Sequence, residues 1–294
     1  MTAVAKPLER HHHYRKHRIR PLHIVGRFMV YATLIFGAFL FMMPFLWMLS
    51  TSVKPKNLVS EVPIVWIPPK FEWDNYIKPW QYKPFGIWYR NTIALTASNV
   101  FGILLATSLV AFGFARIPFW GRDIQFIILL STVMLPVHVT LIPTYLFWSK
   151  LKAINTFWPL MVPQWLTTGY DVFLLRQFFA TIPKEMDDAA RIDGCGWWGI
   201  YWRICLPMSK PALGVLAITN FAWNWNNFFE PLIFLNSTER FTVALGLTLF
   251  QGRMHREIPG LMAMTLVSMI PVIITFYIAQ RYFIQGIVIS GVKG

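Results

Sequence analysis

Residues 184–212, KEMDDAARIDGCGWWGIYWRICLPMSKPA, carry acids, bases, two cysteines and turn-forming glycines in a chain otherwise dominated by apolar runs. Little covalent chemistry is open to them. Cys195 and Cys205 stand ten positions apart and fit neither a disulfide framework nor a zinc site, so they read as free cytosolic thiols. Gly194–Gly199 satisfies G-x-G-x-x-G, but no strand precedes it, Trp197 and Trp198 crowd it, and no acid lies near residue 219. No Gly-x-x-x-x-Gly-Lys-Ser/Thr loop occurs, so this chain should not bind ATP itself. No catalytic residue and no metal site is assigned. What remains is a docking surface.

The segment predicts a polar helical hairpin over 184–207. Pro183 suits the first turn of a helix, and Glu185, Asp187 and Asp188 set negative charge at its positive end. Ala189 and Ala190 keep one side slim. Asp187 and Arg191, four apart, are expected to pair. Gly194 follows as a helix-ending residue able to take positive φ. Trp197, Tyr201 and Ile204 then share a face of a second short helix, which Leu206-Pro207 should end.

Other polar residues sit inside apolar runs. Asn220, Asn224 and Asn227 lie at i, i+4 and i+7 with Trp223 beside them, and Asn220 falls about 14 Å beyond Pro211 at 1.5 Å per residue. Two roles fit equally: a lining that hydrogen-bonds a hydroxyl-bearing solute, or glue between helices at about 0.6 kcal/mol per contact. His138 reads as a packed residue in preference to a proton relay. Asp171 is expected near a membrane surface, reaching water or Arg176, and Glu230 near the opposite one. His11, His12 and His13 read as part of a basic tail near anionic headgroups, not as a metal site. Asn236-Ser237-Thr238 has the glycosylation pattern without the expected context.

The elements that must position these residues are membrane spans. Apolar residues make up 55% of the chain and charged ones 14%, against about 25% charged in soluble proteins. Long apolar runs, the first three free of charge and the fourth interrupted by Asp171, predict six helices, roughly 28–50, 91–115, 124–147, 155–176, 211–235 and 259–283. Hence the fold expected is all-α and integral to the membrane: a basic tail over 1–27, then a six-helix domain over 28–294 with the hairpin between helices 4 and 5. The first run is too long for a signal peptide and lacks a cleavage site, so it reads as an anchor. With the N-terminus inside, inner segments hold 16 Lys and Arg and outer segments 11, placing both termini and the hairpin in the cytosol. This distribution accounts for the net charge of +14 without nucleic acid. The loop 51–90 is rich in proline, and its Trp66, Trp73, Trp80 and Trp88 suit an interface or a partner.

The hairpin resembles the signature of permease subunits of binding-protein-dependent ABC importers: E-A-A, three residues, G, nine residues, I-x-L-P. Here Asp188-Ala189-Ala190 is followed by Gly194 and then by Ile204-x-Leu206-Pro207, with Asp in place of Glu as the one departure. AFGFARIPFWGRD (111–123), MLPVHVTLIPTY (134–145), WNNFFEPLIFL (225–235) and QRYFIQGIVISGVKG (280–294) are similar to sugar-permease segments, and the final V-K-G to the shorter of two such subunits. The resemblance implies a second permease subunit, two ATP-binding subunits, an extracytoplasmic solute-binding protein and a sugar or polyol substrate, in a bacterial cytoplasmic membrane. It implies that Glu185, Asp188, Ala189, Ala190, Arg191, Asp193, Gly194, Ile204, Leu206 and Pro207 couple to the ATPase. Asn220, Trp223, Asn224 and Asn227 are the pathway candidates.

Two rivals are a membrane-embedded enzyme and a proton-coupled secondary transporter. The first would want convergent carboxylates or histidines, yet His138, Asp171 and Glu230 should lie at different depths. The second would favour an inverted repeat and ionisable residues at mid-bilayer. Neither predicts a hairpin of this spacing.

Overall fold

A computed structural model describes residues 21–251 and 257–291, with side chains over 26–250 and 257–280. His11–His13 and the final V-K-G lie outside the described residues. Among the described residues all regular structure is helical.

The chain divides into two compact units, 1–47 and 48–294. Helix α1, Pro21–Ser52, runs through the division and starts inside the expected tail. Over 28–47 this helix is apolar, and Phe28, Phe36 and Phe41 are exposed, as befits side chains meeting lipid.

Within the second unit, α2 (Phe85–Arg116) is the central rod. Then come α3 (Arg122–Ser131), α4 (Val137–Lys150), α5 (Trp158–Trp165) and α6 (Gly169–Thr181). The polar segment forms α7 (Lys184–Ile192) and α8 (Trp197–Met208). They are followed by α9 (Lys210–Trp225), α10 (Phe229–Phe234) and α11 (Ile258–Gly291). Helix α2 packs on α5, α6 and α9, and α9 packs on α11.

Among the described residues three helices are unbroken and apolar enough to cross a bilayer: Gly26–Ser52, Phe85–Arg116 and Ile258–Gln280. Elsewhere the expected rods are bent or cut. The run predicted at 124–147 turns by 97° between α3 and α4. Leu135 is extended there because Pro136 crowds the helical conformation of the residue before it. The run predicted at 155–176 is cut at Leu166–Thr168, where Thr167 has φ of 64° and Thr168 caps α6. The fifth run ends its first helix at Trp225, well short of 235.

The loop over 51–90 is less irregular than its prolines suggest, with short helical turns at Asp74–Ile77 and Pro79–Tyr82. Trp66, Trp73 and Trp80 are exposed. Trp88 is not an interface residue: it is fully buried, and its Nε1 donates to the Thr238 carbonyl at 2.7 Å. Glu257 ties this loop to the start of α11 through Lys56 at 3.2 Å and the Tyr82 hydroxyl. Burial works to raise the Glu257 carboxyl, but those two partners hold it below the usual glutamate range.

Candidate coupling and pathway sites

Helix α7 is short and would be marginal alone, so its ends and one buried side chain hold it. Its C-terminus closes as a Schellman motif: Cys195 N donates to Ala190 O at 2.8 Å and Gly194 N to Arg191 O at 3.0 Å. Gly194 sits at φ 83°, a conformation that a β-carbon would strain. The Arg191 guanidinium lies over the Trp197 ring at 4.2 Å, joining α7 to α8.

Asp187 does not pair with Arg191. Its Oδ2 lies 3.2 Å from Arg116 Nη1, and both side chains are almost fully buried. Arg191 is 3.8 Å from Asp188 instead. The i+4 expectation failed because a buried guanidinium from α2 competes better than one half in water. Arg116 also donates from Nη2 to Phe179 O at 3.0 Å and Ile182 O at 2.7 Å, the carbonyls that end α6. One planar fork thereby holds α2, α6 and α7 together.

With Asp187 turned inward, Glu185, Asp188, Ala189 and Ile192 lie along the exposed side of α7 at i, i+3, i+4 and i+7. Ile192 is 88% exposed, an apolar side chain left open at the C-terminal end of that side, between Asp188 and Asp193. Asp193 is exposed at the helix end, and Ala190 is half-buried.

Helix α8 is seated by aromatic packing. Tyr201 is buried, with its hydroxyl 2.7 Å from Ser108 Oγ of α2, and its ring meets Phe112 edge-on at 5.3 Å. Leu206-Pro207 does not end the helix. Residues Tyr201–Cys205 form a π-helical turn that widens the ring of hydrogen bonds, and helix continues to Met208. The bend falls at Ser209, and α8 and α9 meet at 73°. Ile204 and Leu206 are half-buried and Pro207 exposed. Cys205 is fully buried, and burial pushes its thiol up to about 11, with Arg116 pulling it down and Asp187 adding to the rise.

Along α9 the asparagines are already engaged. Asn224 Oδ1 accepts from Asn99 Nδ2 at 2.7 Å, and Asn99 Nδ2 also donates to Leu160 O at 3.0 Å. Asn224 Nδ2 donates to Asn220 O at 2.9 Å. Asn220 Nδ2 donates to Leu216 O at 3.0 Å and reaches Asp171 Oδ1 at 3.5 Å. Asn227 is not on that helical face, because α9 has ended; it donates to Glu230 Oε2 at 2.6 Å. Trp223 is 70% exposed.

Asp171 does not lie at a surface reaching Arg176. It is buried in the first turn of α6, where Thr168 Oγ1 donates to it at 2.9 Å and accepts from its backbone N–H at 3.2 Å. Arg176 lies over the Phe126 ring at 4.1 Å and donates to Phe114 O. His138 is exposed, with its ring 5.5 Å from that of Phe229.

Arg116, Ser108 and Asn99 carry these sites without having been singled out in sequence. The available signal was a polar residue at i, i+9 and i+17 in a run between Arg90 and Arg116 that holds no other charge.

The family model described as binding-protein-dependent transport system inner membrane component matches residues 98–289. The chain is 32% identical over 264 residues to the arabinooligosaccharides transport system permease protein AraQ of Halalkalibacterium halodurans, covering 88% of this chain and 94% of that protein. AraQ of Bacillus subtilis is likewise 32% identical, over 87% of this chain and 92% of its own length. The sn-glycerol-3-phosphate transport system permease protein UgpE of Yersinia enterocolitica is 28% identical over 87% of this chain and 94% of its own length. The fold matches the crystal structure of a bacterial ABC transporter involved in the import of the acidic polysaccharide alginate. There the TM-score is 0.78 at 23% identity, over 90% of this chain and 98% of that one. The chain belongs to the family of inner-membrane components of binding-protein-dependent transport systems.

Proposed function

We propose that this chain forms one half of the translocation pathway of an ATP-driven importer for a sugar or related polyol. In that role α1, α2, the bent pair α3–α4, the cut pair α5–α6, α9 with α10, and α11 serve as six spans. Both termini and the α7–α8 pair face the cytosol, in line with the 16-to-11 distribution of Lys and Arg. The machine is completed by a second permease subunit, two ATP-binding subunits that hold ATP and Mg, and an extracytoplasmic solute-binding protein. The relatives act on arabinooligosaccharides and on sn-glycerol-3-phosphate, which supports a hydroxyl-rich substrate.

The observation that carries this proposal is the exposed side of α7. A helix of nine residues is fastened at its back by a buried ion pair and leaves Glu185, Asp188, Ala189 and Ile192 open. Small and apolar residues framed by acids suit a protein cleft with basic walls. The mechanism is alternating access: closure of the ATP-binding subunits moves α7, and the spans rock around a site bordered by Trp223 and Asn224, with Asn220 supporting Asn224.

The test is direct. In Asp188→Cys, a cysteine-to-amine cross-linker should join this chain to a co-expressed ATP-binding subunit, and proteoliposomes should take up labelled arabinooligosaccharide or glycerol phosphate only with ATP inside. Failure to cross-link would sink the docking role. Uptake that continues without ATP would sink the importer.

A further inference from the structure

The α7–α8 pair is fixed to the spanning helices through one stripe of α2. Ser108, Phe112 and Arg116 follow at i, i+4 and i+8, so they project from the same side. Ser108 bonds Tyr201, Phe112 packs on Tyr201, and Arg116 pairs with Asp187. Both short helices are thereby held by α2, one through a charge and one through a hydroxyl. Farther along the same unbroken helix, about 26 Å from Arg116 at 1.5 Å per residue, Asn99 holds Asn224 of α9.

We infer that α2 is the lever of this subunit and that Arg116 is a positioning residue that carries the motion of α7 into it. The inference rests on the proposal that α7 docks on an ATP-binding subunit. Apolar contacts can slide past one another as a helix tilts. A buried guanidinium with three oxygen partners cannot, because parting it from Asp187 would strand a charge in a medium of low dielectric. Helix α7 therefore cannot shift without taking α2 and the end of α6 along. The covalent route through Ser209 is a bend of 73° and makes a joint, not a push-rod.

The experiment uses the whole reconstituted complex, with Cys195→Ser and a reporter cysteine at Trp223→Cys. ATP hydrolysis is measured beside the ATP-driven change in the reporter's rate of reaction with a charged methanethiosulfonate. In Asp187→Asn, hydrolysis should stay within about twofold of the parent while the reporter's response falls about tenfold or more, and Asp187→Glu should recover most of it. Arg116→Lys keeps a charge toward Asp187 but loses the fork to Phe179 and Ile182, so it should show the same split more mildly. It carries the test if Asp187→Asn fails to assemble. A reporter response that falls only in proportion to hydrolysis, or that does not fall, overturns the lever. So does loss of the Asp188→Cys cross-link in both variants, since the pair would then merely shape α7. Absence of that cross-link in the parent complex would instead sink the docking proposal itself.

Discussion

Trp165 lies against Gly102 so closely that a β-carbon on residue 102 would stand 2.5 Å from the indole ring. Gly102 is in the middle of α2, where glycine is ordinarily a fault of about 1 kcal/mol relative to alanine. Its place there is explained by the contact, which seats the end of α5 against α2. The indole Nε1 also donates to Ser98 at 3.3 Å, one turn away.

Gly102→Ala should therefore destabilise, against the sign of helix propensity. Pushing the ring away costs about 1–3 kcal/mol, as other overpacked sites do, and outweighs the propensity gain. The thermal midpoint of the purified complex should fall. A rise would mean that Trp165 is free to swing aside and does not fix α5.

The two cysteines should behave differently. An impermeant maleimide should label Cys195 in inverted vesicles and leave it untouched in intact cells; labelling in intact cells would reverse the orientation. Cys205 should stay unlabelled in intact cells, label only very slowly in inverted vesicles near neutral pH, and react at an ordinary rate once the protein is denatured. At pH 8 a thiol raised to about 11 is on the order of 0.1% thiolate, against roughly a quarter for an ordinary cysteine. Each unit of rising pH should speed its labelling about tenfold up to pH 11, and a plateau near pH 8.5 would contradict the buried setting.

Gly194→Val should strain the φ of 83° that closes α7, and Gly194→Asn should be tolerated because asparagine accepts this conformation. Asp188→Lys reverses a charge on the exposed side of α7 at mid-helix, beyond the first turn where the helix dipole acts, so it changes the docking face and not the stability of the helix. Uptake should drop in Gly194→Val and Asp188→Lys with the subunit still inserted in the membrane. Normal substrate-stimulated ATP hydrolysis in both would remove this segment from the coupling path.

The α7 turn was legible because its determinants are local: an acidic first turn, a glycine at the helix end, and a fixed interval. That the chain holds several long apolar helices was also legible, since long intervals without charge leave few alternatives in a bilayer. The breaks were not, although Pro136 and the Thr167-Thr168-Gly169 sequence were in view; an apolar run hides a bend that tertiary packing stabilises. Partner choice was least legible. Asp187 had Arg191 one turn away, and only the fold brings Arg116 close enough to replace it. Asn99 was likewise silent, as one of two amides with Asn91 in an apolar run, until packing set it against Asn224.

The asparagine pair now offers a sharper contrast between pathway and glue. In Asn224→Leu, Asn99 keeps its bond to Leu160 O, so the α2–α5 contact survives and assembly should persist. The lost interhelical bond is worth about 0.6 kcal/mol on average, too little to unfold a spanning bundle. A hydroxyl-rich substrate, by contrast, should lose a buried partner at about 1–3 kcal/mol, or about five- to 150-fold in affinity. Asn226 is the control, because it is exposed and donates only to Ala222 O of its own helix. Uptake per assembled complex should fall in Asn224→Leu and hold in Asn226→Leu. Loss of abundance with unchanged uptake per complex would make Asn224 a packing residue. Equal loss of uptake in both variants would mean that this side of α9 has no special facing, and the pathway would have to be sought on another helix.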